Sequence, residues 1–266
     1  MKPELRRAAL DALRVADPSE KLATVESLAR AAPEPDPSLE LAEPAGVPGR
    51  PHRPVLVAPG AVAARDTATR EGRAALLHAL AHIEFNAVNL ALDAIWRFSA
   101  MPRAYYVDWL RVAAEEALHF RLLCDRLAAV GHAYGDFPAH DGLWEMARKT
   151  AGDVLVRMAL VPRTLEARGL DASPQVRAKF SAAADFDSAA VIDVILRDEI
   201  EHVAIGNRWF AWLCARRGVP VGPTYERLCR EHGAPRPRGP LNLAARRAAG
   251  FGEDELAAMA RSRPQS

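Results

Sequence analysis

The chain has 266 residues, with 35 Lys plus Arg against 34 Asp plus Glu and a formal net charge of +1 at pH 7. This length allows one large domain or two small ones, with a core that needs no disulfide to fold. The balanced charge argues against a general polyanion binder. No apolar run of about 18 residues and no secretory leader is seen. Cys124, Cys214 and Cys229 form no Cys-x-x-Cys pair. We therefore expect a cytoplasmic protein with no membrane partner and no thiolate zinc site.

The N-terminal part, residues 1–64, begins with a helical stretch over residues 1–31. It reads as one or two short helices, with Ser19 or Ser27 as a helix cap. Residues 32–60 follow with eight prolines, which block helix continuation. This segment is too long for a routine loop, so we interpret it as a linker or a surface strap.

Residues 65–218 carry four long helical patterns and no alternating strand pattern. The predicted helices are Thr67–Phe98, Arg103–Val130, Gly142–Arg168 and Ser188–Arg217. Glycines at 131, 169 and 218 are placed to end the second, third and fourth of these helices. Asp141 is placed to cap the start of the third helix, and Asp187 or Ser188 the start of the fourth. Pro162 should kink the third helix, and a short helix after Ser173 and Pro174 should fill the next connection.

Residues 219–266 form a third part with a proline-rich arm over 219–243. A last short helix is predicted over 244–249, with a further one over 253–261. The predicted fold class is all-α, a four-helix bundle with extra short helices and proline-rich N- and C-terminal arms.

Two of the long helices carry a Glu and a His on an otherwise apolar face. The pairs are Glu116-Ala-Leu-His119 and Glu199-Ile-Glu-His202. Residues three apart point to the same side of a helix, so each pair can reach one ion. The neighbouring Glu115 and Glu201 match the apolar stripes less well and are interpreted as solvated or outer-sphere residues.

A single glutamate precedes each pair at nearly the same distance. Glu84 lies 32 residues before Glu116, and Glu166 lies 33 residues before Glu199. The chain therefore repeats one helical hairpin pattern. Buried carboxylates are costly unless they are paired or bound to metal. Two divalent cations would balance four carboxylates, which favours a dinuclear site with oxygen and imidazole ligands.

Four segments resemble an uncharacterised ferritin-like family of bacterial proteins. They are HIEFNAVNLALDAIWRF (82–98), EEALHFRLLCDRL (115–127), MARKTAGDVLVRMALVPRTLEARGLDASP (146–174) and RDEIEHVAIGNRWF (197–210). The flanks PGRPHRPVLVAP (48–59) and GPLNLAARRAAGF (239–251) resemble the same family, so the likeness covers most of the chain. That family is in turn similar to the di-iron hydroxylase that acts on methylthio-isopentenyl adenosine in tRNA, over the bundle alone.

The resemblance implies a ferritin-like bundle that binds two divalent metal ions, iron as first choice and manganese as second. The implied ligands are Glu84, Glu116, His119, Glu166, Glu199 and His202. The leading hypothesis is an oxidoreductase that activates O2 or peroxide and hydroxylates a small or nucleoside-like substrate, with a separate electron donor protein. A tRNA substrate stays open, as does a monomer or a small homo-oligomer. The alternatives are a ferritin- or rubrerythrin-like protein that handles metal or scavenges peroxide, and a non-catalytic helical protein stabilised by metal.

Four further side chains are candidates for outer-sphere or substrate contacts: His82, Tyr105, Arg163 and Asp198. The simpler interpretations are a hydrogen-bonded helix face for His82, core packing for Tyr105, and a salt bridge from Arg163 to a helix acid such as Asp198 or Asp153. Asp198 is also a candidate to orient a ligand histidine. The pair Arg246 and Arg247 is predicted to lie at a solvated helix end.

Overall fold

The computed structural model describes residues 4–61, 66–235 and 240–261. Within these ranges the regular secondary structure is helical, with one isolated bridge between Leu56 and Ala139. The prediction of an all-α protein is confirmed. The chain divides into two compact units, Met1–Glu145 and Met146–Ser266. The predicted boundary between residues 64 and 65 lies outside the described residues.

The first unit is built around a pair of long helices. Its helices are α1 (Leu5–Arg14), α2 (Pro18–Ala31), α3 (Arg70–Arg97), α4 (Arg103–Ala129) and the first half of α5 (Gly142–Lys149). The short connection over residues 98–102 makes α3 and α4 antiparallel neighbours that pack along their lengths. Helix α1 packs against α3 and helix α2 against α4.

The caps of the first two helices differ from the predicted serines. Glu4 caps α1 by accepting hydrogen bonds from the backbone N–H groups of Arg6 and Arg7, both at 2.8 Å. Asp17 caps α2 through the N–H of Glu20. The expectation of Ser19 or Ser27 is wrong because Pro18 already occupies the first turn of α2, where its missing N–H costs nothing.

The proline-rich segment is a strap held on the first unit by buried cations. Arg6 donates to the carbonyl of Asp36 at 3.1 Å and to that of Trp96 at 2.8 Å, which ties the strap to the end of α3. The ammonium of Lys21 donates to the carbonyl of Gly49 at 3.0 Å and to Asn89 Oδ1 at 2.5 Å. The charged guanidinium of Arg6 makes the stronger kind of hydrogen bond found in proteins, whereas burial lowers the pKa of the Lys21 amine to about 7.

Helix α3 is long and apolar enough to cross a membrane by length and composition alone. Of its most apolar window, 78% is buried inside the protein. This burial is typical of the core helix of a soluble protein, and α3 occupies that position in the first unit.

The second unit contains most of the third and all of the fourth of the predicted long helices. Its elements after α5 are α6 (Val154–Leu160), a π-helix (Val161–Glu166), α7 (Ala167–Ala182), α8 (Phe186–Arg216), α9 (Val221–Glu231), α10 (Leu243–Ala248) and α11 (Glu253–Arg261). The predicted continuous helix over 142–168 is wrong. It breaks after Lys149, and Asp153 starts α6 afresh by accepting from the N–H of Leu155 at 2.7 Å.

Helix α7 runs through Pro174, where sequence patterns predicted a helix start. Proline cannot donate to the carbonyl four residues earlier, which here belongs to Leu170. The side chain of Asn242 supplies the missing donor, with Nδ2 3.2 Å from that carbonyl oxygen. Gly169 consequently lies inside α7 and does not end a helix. A tertiary hydrogen bond thus compensates for the local effect of the proline.

The C-terminal part is more helical and more closely packed than the predicted arm. Helix α9 begins at Val221, where Pro223 is tolerated in the first turn. Segments around α10 and α11 share a buried apolar cluster with α7 and α8: Ala167, Leu170, Val203, Ala245, Ala249, Phe251 and Leu256.

We expect Gly206→Ala to destabilise the protein by about 2 kcal/mol, a typical cost of overpacking. A Cβ at Gly206 would overlap the ring of Pro162, so the glycine lets α8 approach the π-helix closely. Urea unfolding of the purified variant measures the change. Gly169→Ala is the matched control, because a Cβ there would meet no atom of the other described residues within 4 Å outside its own helix turn, and alanine favours the helix. Equal stability of the two variants would contradict the prediction.

Candidate metal centre

Helix α3 brings Glu84 into the core of the first unit. Glu84 shares a face with Leu77, Ala81, Val88 and Ala91, all of which are buried. Amphipathic periodicity explains this placement, because residues three, four and seven apart follow one stripe of a helix. The carboxylate is therefore held among apolar side chains, where an uncompensated charge is costly.

Helix α4 places its Glu and His beside this carboxylate. Glu116 and His119 are fully buried, and His119 Nδ1 lies 3.3 Å from Glu116 Oε2 and 3.5 Å from Glu84 Oε2. One ligand atom from each of the three residues lies within 4.8 Å of those of the other two. The sequence pattern therefore corresponds to a real spatial cluster in the first unit.

The electrostatics of this cluster reflect its burial. Burial, with the charge of Glu116, raises the pKa of Glu84 to about 8. Burial lowers the pKa of His119, but the carboxylates of Glu116 and Glu84 outweigh it and raise that pKa to about 12. At neutral pH without metal, Glu84 therefore holds a proton and His119 carries a positive charge.

The donor set fits a metal ion. Glu84 Oε2 is buried and has no hydrogen-bond donor among the described residues. Two carboxylates and an imidazole are the ligands that divalent iron, manganese or zinc accept. This buried cluster could hold a metal ion, whose positive charge would take the place of the proton on Glu84 and of the extra proton on the His119 imidazole.

We expect metal binding to release protons and to strengthen as pH rises. Below the pKa of Glu84 near 8, a metal must displace protons from both Glu84 and His119; above it, only from His119. The slope of log affinity against pH should therefore fall from about two to about one near pH 8. Calorimetric titration with Mn(II) in buffers of different ionisation enthalpy counts the protons. A pH-independent affinity would contradict this expectation, and Glu84→Gln should remove the break in slope.

The second unit repeats the triad of residue types. Glu199 and His202 are buried on α8, with His202 Nδ1 4.0 Å from Glu199 Oε1. Glu166 is half-buried and is the last residue of the π-helix. A π-helix is rare and is frequent at functional sites. Glu201 lies between Glu199 and His202, directly before the histidine, and its side chain is exposed as expected.

His82 and Tyr105 lie in aromatic surroundings of the first unit. His82 is bonded through Nδ1 to Tyr134 Oη at 2.8 Å and through Nε2 to Asn86 Nδ2 at 3.0 Å. It is two residues from Glu84, so it lies on nearly the opposite side of α3. Tyr105 packs edge-on against Tyr106 and Trp109. Tyr105 is about three turns from Glu116, roughly 16 Å along α4, which places it away from the cluster.

Arg163 makes a salt bridge to a helix acid, as predicted, but its partner is neither Asp198 nor Asp153. Its guanidinium donates to Asn207 Oδ1 at 2.6 Å and pairs with Glu255. Asp153 pairs instead with Arg217, and Asp198 accepts two hydrogen bonds from its neighbour Arg197. The partner could not be named from sequence because Glu255 lies 92 residues along the chain, beyond the reach of helix periodicity. No local signal marks Asn207 or Glu255 as partners.

These features define an all-α protein with a buried Glu and His cluster that could hold a metal ion. The chain matches, over residues 14–257, the family described as a protein of unknown function, DUF455. It belongs to that family. It is also 50% identical over 213 residues to an uncharacterised protein of Haemophilus influenzae, covering 77% of this chain and 74% of that protein. No solved structure matches. The expectation of an uncharacterised bacterial family is confirmed, and its ferritin-like character stays a prediction.

Proposed function

We propose that the protein is a non-haem dinuclear metal oxidoreductase. Its ligands are Glu84, Glu116, His119, Glu166, Glu199 and His202, and its metals are iron or, second, manganese. The observation that carries the proposal is the buried cluster of Glu84, Glu116 and His119, whose ligand atoms lie within 4.8 Å of one another and in which Glu84 Oε2 accepts no hydrogen bond from the described residues. The repeated triad in the sequence supports the assignment of two metals.

The chain supplies burial, geometry and proton binding. Apolar neighbours exclude water from Glu84, and the spacing of Glu116 and His119 holds two ligands on one side of α4. When bound, the metals supply the redox chemistry with O2 or peroxide. We propose hydroxylation of a small or nucleoside-like substrate in the cytoplasm. We also propose a separate electron donor protein, since the sequence has no Cys-x-x-Cys pair to hold a rubredoxin-type iron.

Metal analysis and O2 consumption test the proposal. Protein purified without oxygen should contain about two Fe or Mn per chain, and the reduced Fe(II) form should consume O2. Glu116→Ala and Glu199→Gln should lose metal and reaction. Glu201→Gln, an exposed neighbour on the same helix, should keep both.

Other outcomes would contradict the proposal. A single zinc, or no metal, would overturn the dinuclear site. Two bound metals without reaction toward O2 or peroxide would favour a protein that metal only stabilises. A large cage that takes up many metal ions per chain would favour metal handling.

A further inference from the structure

The first unit contains a cavity of about 350 Å³ between the strap and α3. His82 and Phe85 of α3 line it together with Tyr134, and strap residues between Arg50 and Leu56 line the other side. His82 lies on nearly the opposite side of α3 from Glu84 and Phe85 about 100° round the helix from it, and Glu84, Glu116 and His119 are not among the residues that line the cavity. The cavity is therefore separate from the metal ligands of this unit, and the inference does not rest on the proposed function.

The wall of the cavity is held in place by the backbone. The N–H of Val57 donates to the carbonyl of Ala139 at 2.8 Å, and the N–H of Ala139 donates to the carbonyl of Val55 at 3.1 Å. Arg50 pairs with Asp141 at 2.5 Å. The strap is thus fixed to the loop that carries Tyr134, and a preformed site of this kind binds without a large ordering cost.

The floor of the cavity is aromatic. The ring centroids of Phe85 and Tyr134 lie 5.8 Å apart at an interplanar angle of 50°, and His82 stacks on Tyr134. The ring nitrogens of His82 are already bonded to Tyr134 and Asn86. The floor therefore offers ring faces and edges to a ligand, and these favour a flat aromatic group.

The rim of the cavity is basic and apolar. Among the described residues its ionisable side chains besides the floor are Arg50 and His52, and none of the lining residues is an Asp or Glu. Asp141 contacts Arg50 through one Nη atom, which leaves further N–H donors of the guanidinium for a ligand. Val55 is 62% exposed and Leu56 40% exposed, so apolar surface at this rim is in contact with water.

We propose that this cavity binds a planar aromatic anion, with the ring over Phe85 and Tyr134 and the carboxylate or phosphate on Arg50. The volume lies within the range of small-molecule sites. An arginine fork matches either anion, so an aryl carboxylate and a nucleotide share the required chemistry.

Calorimetric titration of the full-length protein with 1-naphthoate and with adenosine 5′-monophosphate tests the site. The uncharged counterparts are 1-naphthalenemethanol and adenosine, and inorganic phosphate is the anion without a ring. At least one aromatic anion should bind, at least about tenfold tighter than its uncharged counterpart and than phosphate. The anion that binds distinguishes an aryl acid from a nucleotide.

Three variants locate the binding. Arg50→Gln should weaken it by about tenfold or more, because the charged donor is lost. Val55→Trp should block the cavity mouth without disturbing the fold, since residue 55 is largely exposed. Arg103→Gln, an exposed arginine paired with Glu34, should change nothing. No binding by either anion at millimolar concentration, or equal binding by Val55→Trp, would overturn the proposal.

Discussion

Replacing His119 with Gln should lower the unfolding free energy of the metal-free protein by about 3 kcal/mol. Protonated His119 places a positive charge within 3.5 Å of both Glu84 and Glu116, and glutamine has a similar size but no charge. Without that charge the ionised carboxylate of Glu116 would lie buried beside protonated Glu84 with no imidazolium to offset it. Chemical denaturation in the presence of a chelator measures the effect.

The opposite change in the same cluster provides the control. Glu84→Gln removes one buried carboxylate whose pKa is already raised, so the metal-free protein should keep its stability or gain about 1 kcal/mol. The same variant should bind metal far more weakly. A loss of stability in His119→Gln without a loss in Glu84→Gln is characteristic of a site that is strained until metal binds. If His119→Gln unfolds at the wild-type denaturant concentration, the electrostatic account is wrong.

Arg246→Met should destabilise the protein by about 3–5 kcal/mol, the usual cost of breaking a buried ion pair. Arg246 is 2% exposed and donates to both carboxylate oxygens of Asp171, at 3.0 and 2.7 Å. It also donates to the carbonyl of Ala167, which directly follows Glu166. The pair therefore fastens α10 to the start of α7, beside a proposed ligand.

The neighbouring arginine is a natural control for this prediction. Arg247 is about half exposed and pairs with exposed Glu253, so Arg247→Met should cost less than about 1 kcal/mol. The double variant Arg246→Met with Asp171→Leu should recover most of the lost stability, because apolar pairs can replace buried ion pairs. Urea denaturation of the two single variants and the double variant measures these changes in unfolding free energy. Equal losses for Arg246→Met and Arg247→Met would contradict the role of burial.

The long helices could be predicted from sequence because their cores follow one periodic face. Helices α3, α4 and α8 differ from the predicted bounds by three residues or fewer. The Glu-x-x-His pairs could be predicted for the same reason, since residues three apart share a face. In the first unit the structure brings Glu84 next to Glu116 and His119 of α4. Periodicity predicted that all three side chains face the core, but it could not give the distances between helices.

The remaining features depend on contacts between distant segments. The passage of α7 through Pro174 relies on Asn242, and the burial of Arg246 relies on Asp171. Sequence patterns assigned Arg246 to a solvated helix end because a charged residue is mostly exposed unless it is paired. The strap was recognisable by its prolines, but its anchors Arg6 and Lys21 were not, because lone basic residues on short helices carry no such signal.

The π-helix before Glu166 has an evolutionary consequence. A π-turn accommodates more residues than an α-turn, so the segment Val161–Glu166 behaves as a one-residue insertion within a helix. Deleting one residue there would restore α-helical winding with the flanking turns still in phase, so the residues of the wide turn, Glu166 among them, would lose their present direction. Relatives that have lost a residue in this stretch should therefore also have lost the glutamate, or have replaced its role from another position.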